Sequence, residues 1–299
     1  MPRKPIAFLT MDCLDGFVAY DELAKPPLIE RGWTVLDVSW RAPHADWDAF
    51  EAVIVRTPWD YHTDSAAFLQ CVDAIERSSA HLLNPADVIR WNIDKRYLRD
   101  LQQHRLQIVP TRWIESPRRE DFEHAQVLFD TEAIVIKPIT GAGALDTFRL
   151  PRGMRVTDGL ISLYQNRSAM LQPFLPSIVE QGEWSLFYFA AGYSHTVLKI
   201  PAPGDFRVQE EYGSRLEAVT PAEDLRRLAD ATMRTIQTIV SPTLYARVDL
   251  VRLPNQLPAI MELELIEPSL YFPYDPHSPE RFAEAIDTTL RLKRIGNAS

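Results

Sequence analysis

Residues 243–268, TLYARVDLVRLPNQLPAIMELELIEP, constrain the fold more than any other part of the sequence. Apolar and charged residues alternate on both sides of a polar turn, which is typical of β-strands because their side chains point to opposite faces in turn. The segment therefore predicts an antiparallel hairpin folded about Asn255-Gln256. In the register of that turn, one face carries two opposed pairs of charged side chains: Asp249 with Glu262, and Arg247 with Glu264.

Carboxylates that share one half-buried face repel each other unless a positive charge lies between them. The hairpin alone leaves two interpretations open. The face is either solvated, with Arg247 and Glu264 as a surface ion pair, or it binds a divalent cation. Mg²⁺ takes only a few oxygen ligands from protein, while phosphate and water supply the rest. The second interpretation therefore requires a phosphate-binding site nearby.

The first eighty residues alternate between strand-like and helix-like segments. Strands are predicted at 6–11, 33–40 and 50–62, and the last of these runs into a polar, aromatic loop. The segment 65–80 has helical spacing of its apolar residues, and 21–32 is helical near its end and stops at Gly32. This order predicts a parallel α/β unit, whose ligands lie beyond the carboxyl ends of the strands. The residues at that position are Arg56, Trp59, Asp60, Tyr61 and His62.

Regular structure is also predicted further along the chain. A helix covers about 94–104, with Asn92 or Asp94 as its N-cap. Three more elements follow: a hairpin at 183–201 that turns at Ala191-Gly192, an amphipathic helix at 221–240 and a closing helix at 277–294.

Three lysines and a small-residue loop indicate a polyphosphate ligand. Lys137 ends the strand AIVIK just before the loop GAGA (141–144), Lys95 opens a helix and Lys199 ends another strand. A lysine at a strand end often only reaches towards solvent, and glycines are common in loops, so neither feature is specific alone. Backbone N–H groups of such a loop can bind phosphates, however, and a lysine supplies the charge. Together with the carboxylates, these residues favour binding of a nucleoside triphosphate with a metal ion.

The composition argues against several classes of function. The net charge is −9 and no long basic run occurs, so broad binding to nucleic acid or to anionic membranes is not expected. The two cysteines, Cys13 and Cys71, predict a reducing cytoplasm rather than a secreted disulfide framework. The apolar run near the N-terminus is too short for a signal peptide or a membrane span.

The order of six short motifs resembles that of the ATP-grasp superfamily. The motifs are DKRYL, IVIKP with the loop after it, LQPFL, GEWSL, ARVDLV and MELELIEP, and the resemblance extends from about residue 84 to 275. The phrases RTPWDYH, WNIDKRYL, GDFRVQ and YARVDLV are most similar to the cycloserine-synthetase group, whose relatives are often labelled glutathione-synthetase-like. The resemblance implies an α/β (α+β) ATP-grasp fold with an N-terminal parallel α/β pre-ATP-grasp domain. The implied domains are 1–90 (pre-ATP-grasp), 91–171 (central, with the phosphate-binding loop) and 172–299 (C-terminal, with the metal site).

The resemblance also implies which residues bind ATP. Lys95 and Lys137 match the lysines that hold the phosphates. Many relatives carry an acid in place of Gln172, whose carbonyl can still accept a hydrogen bond from the adenine amino group. The other matches are to the mobile phosphate loop (Gly141, Ala142, Gly143, Ala144), the adenine-binding hinge (Gln172, Pro173, Phe174, Leu175), the ribose-binding acid (Glu183) and a lysine near adenine or phosphate (Lys199).

Catalytic, metal-binding and substrate-binding residues are implied in the same way. Arg247 matches the arginine that stabilises the acyl-phosphate and the adduct after it, and Arg207 is a candidate for holding the transferred phosphate or the substrate carboxylate. The magnesium ligands match Asp249, Glu262 and Glu264. This chain has Glu-X-Glu where many relatives have Glu-X-Asn. The extra charge still suits the two Mg²⁺ ions that the resemblance implies, with Mn²⁺ as an alternative metal. Candidates for substrate contact, some of which have an equally good structural interpretation, are Arg56, Trp59, Asp60, Tyr61, Glu267 and Tyr271.

The implied reaction is ATP-dependent activation of a carboxylate as an acyl-phosphate, followed by attack of an amine-type nucleophile. The substrate is then a small, amino-acid-like molecule. The nucleophile belongs either to the same molecule, as in cycloserine synthesis, or to a second one, and the residues leave both open. A homodimer is common among similar proteins. The alternative is a non-catalytic nucleotide-binding regulatory protein that retains the fold.

Overall fold

The computed structural model describes residues 3–141 and 143–296 of the chain. The first unit contains a parallel sheet with the strand order β2-β1-β3-β4, which confirms the α/β unit predicted for this part of the sequence. Three of its strands are predicted from the sequence, whereas the fourth is too short for an alternating pattern to be recognised. The strands are β1 (Ile6–Thr10), β2 (Val35–Ser39), β3 (Ala52–Thr57) and β4 (His81–Leu83).

Three helices pack around this sheet: α1 (Lys25–Glu30), α2 (Ser65–Arg77) and α3 (Ala86–Asn92). Every residue of β3 is buried, as expected for an inner strand of a covered parallel sheet. The helix α2 begins where Asp64 Oδ1 accepts a hydrogen bond from the Ala67 N–H at 3.0 Å. The helical segment predicted to stop at Gly32 ends as expected, because Gly32 has φ +79°, a left-handed conformation that suits glycine.

The second unit contains an antiparallel sheet with the order β5-β8-β6-β7. Its strands are β5 (Arg112–Ile114), β6 (Ala133–Pro138), β7 (Phe148–Pro151) and β8 (Ala169–Pro173). The helices α4 (Tyr97–Gln103), α5 (Arg119–Phe129) and α6 (Asp158–Tyr164) belong to this region. The outer strands β5 and β7 have three and four residues, so the sequence indicates only the buried strands β6 and β8 between them.

The helix predicted at 94–104 corresponds to α4, but the predicted capping is wrong. No capping side chain is bonded at the start of α4, which is preceded by Arg96. Asp94 lies two residues before that N-cap position, and its side chain accepts from the Arg96 N–H at 2.9 Å. Asn92 ends the separate helix α3 and bonds to a strand far away in the sequence. A local capping rule cannot anticipate such a distant partner.

The third unit contains an antiparallel sheet with the order β11-β10-β9-β12-β13. Its strands are β9 (Glu183–Phe189), β10 (Gly192–Ile200), β11 (Arg215–Ala218), β12 (Tyr245–Arg252) and β13 (Pro258–Glu264). The helices are α7 (Pro176–Gln181), α8 (Glu223–Ile236) and α9 (Ser278–Gly296), of which α8 and α9 correspond to the two helices predicted at 221–240 and 277–294. The β9-β10 hairpin is confirmed, but its turn lies at Ala190-Ala191, one residue before the predicted position. Both alanines have positive φ, a conformation that the sequence does not signal because alanine rarely adopts it.

The predicted pairing of the charged residues in the last hairpin is confirmed. Asp249 pairs with Glu262, and Arg247 pairs with Glu264. Closer to the turn, however, the register differs from the prediction by one residue, because a β-bulge at Met261 separates the two halves of the ladder. Without this extra residue, Glu262 and Glu264 would point to the other face of the sheet.

The packing of the third sheet determines which of its faces is polar. The apolar side chains of β9, β12 and β13 pack against α8 around Leu225, Ala229 and Met233. Since side chains alternate along a strand, the charged side chains of the same strands lie on the opposite face. That face points towards the second sheet, and the space between the two sheets forms the main cleft of the protein.

The two cysteines and the lengths of the helices relate to the predictions made from composition. Cys13 is exposed and Cys71 half-buried, and neither forms a disulfide in the part of the chain that the structure describes. Burial raises the pKa of the Cys71 thiol to about 12, which makes it a poor nucleophile at neutral pH. None of the helices in residues 3–141 and 143–296 combines the length and the apolar composition needed to cross a lipid bilayer.

We expect the protein to lose stability as the pH falls from about 6.5 to about 4, in part through His195. Burial lowers the pKa of this histidine to about 4, and its ring stacks on Phe187 with the centroids 4.3 Å apart. In that window the unfolded chain binds a proton that the folded chain does not, which costs up to about 3 kcal/mol. Urea unfolding at about pH 7.5 and about pH 4.5 should show a smaller pH-dependent loss in His195→Gln than in the unmodified protein. Equal losses would contradict the assignment.

Candidate active site

A cleft of about 470 Å³ lies between the charged face of the third sheet and the second sheet. Its volume is in the range of small-molecule binding sites. Most residues that the sequence assigns to a ligand line this cleft, although they come from all three units of the chain. The third sheet alone contributes six of them: Glu183, Lys199, Arg247, Asp249, Glu262 and Glu264.

Asp249 is the centre of the buried charge network. Its side chain is 1% exposed and accepts hydrogen bonds from Arg247, with Nη2 to Oδ2 at 2.9 Å, and from the Ser185 hydroxyl. The ammonium of Lys199 lies 3.4 Å from Oδ1. Burial opposes ionisation of Asp249, but the charges of Arg247 and Lys199 hold its pKa at about 2. Asp249 is therefore a carboxylate at neutral pH.

Lys199 and Glu183 form a second buried pair. Their side chains meet with Nζ 2.6 Å from Oε1, and Lys199 is 3% exposed. Burial raises the pKa of Glu183, whereas the acids around Lys199, chiefly Asp249, raise the pKa of that lysine despite its burial. The pair lies on the cleft wall, where the sequence places the ribose-binding acid and the lysine near adenine or phosphate.

Lys95 connects the acidic face to the small-residue loop. Its Nζ lies 2.7 Å from Glu262 Oε1 and donates a hydrogen bond to the Gly141 carbonyl at 3.0 Å. Burial acts against the charge of Lys95, but Glu262 and the neighbouring acids raise its pKa overall. The same pairing lowers the pKa of Glu262. One lysine therefore contacts both a candidate metal ligand and the loop expected to cover phosphates.

Lys137 is a half-buried lysine that forms no ion pair in the described ranges. Its Nζ lies 3.2 Å from the sulfur of Met261, and no carboxylate in the described ranges forms an ion pair with it. Burial lowers its pKa overall, although the nearby charges of Glu262 and Glu183 act in the opposite direction. An ammonium that contacts a thioether rather than a carboxylate is only partly compensated by acids further away. Its position on the cleft wall is therefore suited to an anionic ligand.

The carboxylates of β12 and β13 fit a magnesium–nucleotide complex better than a resident metal ion. In the part of the chain that is described, no group of three metal-ligating side chains is arranged around one point. Asp249 and Glu264 are instead bonded to Arg247, and Glu262 to Lys95. Mg²⁺ commonly takes one or two carboxylates and completes its shell with phosphates and water, so a preformed cage is not required. The carboxylate oxygens of this face can supply the one or two protein ligands, and Lys137 can bind the phosphates that complete the shell of Mg²⁺.

The expected adenine-binding segment, residues 172–175, lies at one end of the cleft. Gln172 is 2% exposed, and its amide nitrogen donates to Thr111 Oγ1 at 3.0 Å, which orients the side chain. Phe174 packs edge-on to Phe206, with the ring centroids 6.2 Å apart. This end of the cleft therefore combines an apolar wall with a fixed amide.

The phosphate loop contacts a segment that carries Arg207. The Tyr212 hydroxyl donates to the Gly143 carbonyl at 3.1 Å, and the Arg207 guanidinium stacks 3.6 Å from the centre of the Tyr212 ring. Asp205 holds the same guanidinium through Nη2 at 2.7 Å. Gly143 and Ala144 line the cleft, whereas the predicted loop residue Ala142 lies outside the described residues. Nothing in the motif pattern indicates the role of Tyr212.

The lining of the cleft also includes five of the predicted substrate residues. Trp59 donates from Nε1 to the Glu267 carbonyl at 2.9 Å. Burial, with the charge of Glu264 nearby, raises the pKa of Glu267 to about 8. The five cleft residues are Trp59, Asp60, Tyr61, Glu267 and Tyr271.

The structure does not support the predicted substrate contact of Arg56. Its side chain is 1% exposed and is not among the residues that line the cleft. The guanidinium instead bonds to Asp21 Oδ1 and donates to the Pro268 carbonyl at 2.9 Å. It also lies 5.1 Å from the centre of the Tyr245 ring. Arg56 is therefore a buried structural residue that connects the first unit to the segment after β13.

Sequence reasoning misses the residues at the far edge of the cleft. Glu210 lines the cleft, and its Oε1 accepts from the hydroxyls of Tyr20 at 2.9 Å and Tyr274 at 3.2 Å. Gln209 Oε1 and Ser269 Oγ are buried without a hydrogen-bond partner in the described structure, and both residues line the cleft. These residues come from distant segments of the sequence and share no motif, so no pattern along the chain connects them.

Comparison with known proteins adds independent information. A family model described as the N-terminal domain of the D-cycloserine synthetase DcsG matches residues 6–84. The cycloserine biosynthesis protein DcsG of Streptomyces lavendulae is 30% identical over 303 aligned positions, which cover 96% of this chain and 99% of that protein.

Solved structures agree with these similarities. The crystal structure of D-cycloserine synthetase DcsG superposes with a TM-score of 0.79 at 28% identity, covering 95% of this chain and 99% of that one. D-alanine–D-alanine ligase from Bacillus anthracis superposes with a TM-score of 0.65 at 10% identity, covering 98% of this chain and 99% of that one. At that identity the second similarity shows the fold alone.

Proposed function

This chain belongs to the ATP-grasp ligase family that includes DcsG, and we propose on that premise that it closes a ring within a small amino-acid-like substrate. It is an ADP-forming carboxylate–amine ligase that depends on ATP and Mg²⁺, and it has the ATP-grasp fold implied by its motif order. Ring closure, in which the carboxylate and the nitrogen belong to one molecule, is favoured over joining two molecules because the similarity to the cycloserine biosynthesis protein covers almost the whole chain.

One observation carries the proposal. Three lysines and four carboxylates of the third sheet line the same cleft, and among the described residues Lys137 forms no ion pair with any of them. A solvated sheet face would not bury these charges. In a network made only of ion pairs every lysine would contact an acid, and Lys137 does not. A bound polyphosphate provides the missing negative charge.

We assign the nucleotide to the cleft between the second and third sheets. Lys95, Lys137 and the loop 141–144 hold the phosphates, while Glu183 accepts from the ribose. The segment 172–175 contacts adenine, and the carbonyl oxygen of Gln172 accepts from the adenine amino group. Lys199 completes the set near adenine or phosphate.

The carboxylates and Arg247 act on the reacting groups. A substrate carboxylate oxygen attacks the γ-phosphorus, ADP leaves, and the acyl carbon of the resulting acyl-phosphate becomes electrophilic. The substrate nitrogen then forms the C–N bond as phosphate departs, and Arg247 stabilises the negative charge of the adduct. Asp249, Glu262 and Glu264 would hold Mg²⁺, which neutralises charge on the transferred phosphoryl group when bound.

The aromatic end of the cleft is the proposed substrate site. Trp59, Tyr61 and Tyr271 form its walls, and Glu267 offers a carboxyl group to the substrate. Arg207 is proposed to hold the transferred phosphate or the substrate carboxylate. Asp60 is a weaker candidate for substrate contact, because its carboxylate already accepts from Trp40 and Arg41.

Further details of this proposal concern ions, assembly and location. Two Mg²⁺ ions are proposed, with Mn²⁺ as a substitute, and metal titration of ADP release would count and compare them. A cytoplasmic location is proposed on the two free cysteines and the need for ATP. Homodimerisation remains a prediction that light scattering can check.

Replacing Lys137 by methionine should weaken ATP binding without reducing stability. The lysine is half-buried and forms no ion pair in the described structure, so an apolar side chain of similar length removes a desolvation cost. A charged hydrogen bond to phosphate is worth roughly 10- to 100-fold in affinity. Calorimetric titration with a non-hydrolysable ATP analogue measures the loss, and urea unfolding measures stability. Unchanged affinity would remove Lys137 from the phosphate site.

The reaction itself is tested by ADP release with ATP, Mg²⁺ and a panel of amino acids that includes O-ureido-serine. Turnover with a single substrate, together with a cyclic product identified by mass spectrometry, supports ring closure. A requirement for two amino acids, with a linear product, would support ligation instead. Absence of turnover across a broad panel of amino acids and small peptides would remove the support for an amino-acid-like substrate.

A further inference from the structure

The outer edge of β13 forms a short backbone bridge with Ile108 at Ile260, and around Leu263 and Leu265 it is bonded by side chains instead. β13 is the last strand of the third sheet, so backbone groups on that edge need other partners. Asn92 donates from Nδ2 to the Leu263 carbonyl at 2.9 Å and accepts at Oδ1 from the Leu265 N–H at 2.8 Å. The Tyr97 hydroxyl accepts from the Leu263 N–H at 3.0 Å.

The Asn92 amide reproduces the hydrogen bonds of a parallel β-strand. In a parallel ladder, the amide groups of one residue donate to the residue before its partner and accept from the residue after it. Asn92 does so around Glu264, because Leu263 precedes that residue and Leu265 follows it. One side chain therefore fixes the backbone on both sides of a proposed metal ligand.

The residues that make these hydrogen bonds are buried, although Asn92 and Leu263 also border the cleft. Leu263 and Leu265 are at most 1% exposed, and Asn92 is 8% exposed. Buried backbone groups that lose a partner in such surroundings are not readily satisfied by solvent. The backbone of Leu263, which lies between Glu262 and Glu264, would have to move to find new partners, and the two carboxylates would move with it.

Asn84 also bonds to the backbone next to Glu264 through its side-chain amide. Its Nδ2 donates to the Leu265 carbonyl at 2.8 Å and to the Tyr245 carbonyl at 2.9 Å, which ties the end of β13 to β12. Both asparagines belong to the segment between the first two units, and both are buried. The position of the acidic residues is therefore set partly from outside the third sheet.

We propose that Asn92 is a positioning residue for the magnesium-binding carboxylates Glu262 and Glu264. This inference rests on the proposed function, which assigns these two acids to Mg²⁺. Asn92 acts through the backbone of β13. Groups that hold metal ligands in place in this way typically change metal affinity by about 10- to 100-fold when they are lost.

The test is metal binding to the full chain with Asn92→Leu, which keeps the size of the side chain and removes both hydrogen bonds. Free Mn²⁺ is followed by electron paramagnetic resonance in the presence of ADP, and ADP binding is measured separately by calorimetry in EDTA. We expect Mn²⁺ affinity to fall about 10- to 100-fold, while ADP affinity without metal stays within about twofold. Saturating Mg²⁺ should restore most of the turnover.

Gln126→Leu is the matched control. Gln126 is another buried amide that bonds backbone carbonyls, with Nε2 3.0 Å from the Pro151 oxygen, but it lies in the second unit and does not line the cleft. Its loss should lower the unfolding midpoint without changing Mn²⁺ affinity by more than about twofold, because it removes the same kind of bond away from the acids. A general loss of stability is thereby separated from a displaced metal site.

Tyr97→Phe provides a milder change at the same edge. It removes the hydroxyl that accepts from Leu263 and should weaken Mn²⁺ binding in the same direction by a smaller factor, which keeps the test informative if Asn92→Leu does not fold. Unchanged Mn²⁺ affinity in the folded variants overturns the role of Asn92. Failure of the unmodified protein to bind Mn²⁺ with ADP overturns the metal assignment itself, and with it this inference.

Discussion

Glu262→Gln should reduce turnover by at least about 100-fold at ordinary Mg²⁺ concentrations while costing folding only about 1–2 kcal/mol. The amide keeps the shape of the side chain but removes one negative charge from the proposed metal site. Glu262 is also the partner of Lys95, so the change alters two groups that face the phosphates. The ion pair is partly exposed, which limits its contribution to stability. Steady-state ADP release and urea unfolding measure the two effects separately.

A suitable control for Glu262→Gln is Glu180→Gln. Glu180 is exposed on α7 and does not line the cleft, so its loss should leave turnover within about twofold and stability nearly unchanged. Increasing Mg²⁺ should restore part of the activity of Glu262→Gln, since a weakened site still fills at higher concentration. Normal turnover of Glu262→Gln at ordinary Mg²⁺ would contradict the assignment of this residue to the metal.

Arg247→Met should affect stability and catalysis together. Arg247 is 7% exposed and bonds to both Asp249 and Glu264, so its removal leaves two buried carboxylates short of a counter-charge. Breaking a buried ion pair from one side typically costs about 3–5 kcal/mol. The loss of a group that stabilises the charged adduct should lower turnover by about 10²- to 10³-fold. Urea unfolding at neutral pH and ADP release measure both effects.

A second substitution tests the cause of the instability. Adding Glu264→Gln to Arg247→Met removes one of the stranded carboxylates and should recover part of the stability, but none of the turnover. Arg247→Lys keeps the charge and should be more stable than Arg247→Met, while turnover remains low because a lysine cannot reproduce the planar, two-sided contact. Wild-type stability of Arg247→Met would show that the network does not depend on this residue.

Some parts of the site can be predicted from the sequence because they depend on local periodicity. Strand alternation about the predicted turn places Asp249 opposite Glu262 and Arg247 opposite Glu264, and the observed ladder has the same pairs with the bulge at Met261 between them and the turn. The order of strands and helices in the first eighty residues is likewise sufficient for a parallel sheet. Both depend on neighbours along the chain, where the physical rules are strongest.

Other features depend on contacts between distant segments and cannot be predicted in this way. Arg56 lies near the end of the buried strand β3, and from the sequence it could equally contact a ligand or form an ion pair. In the structure Arg56 forms the ion pair, because Asp21 and the Pro268 carbonyl, which belong to two other segments, bond to its guanidinium. Asn92 has the residue type of a helix cap, but its amide is bonded to a strand 171 residues away. The bulge at Met261 is also invisible in the alternation of the sequence.

The sequence by itself determined that Glu262 and Glu264 would share one face of their strand, because side chains alternate with a period of two, whereas the bulge at Met261 sets which face that is. It also determined the order of the motifs that identify the family. Only the tertiary structure decided which charges remain compensated. Lys95 pairs with Glu262, and Lys137 lies beside a sulfur, where residues from separate units meet. The free energy of a buried charge depends on all the groups around it in space, and most of these are not its neighbours along the chain.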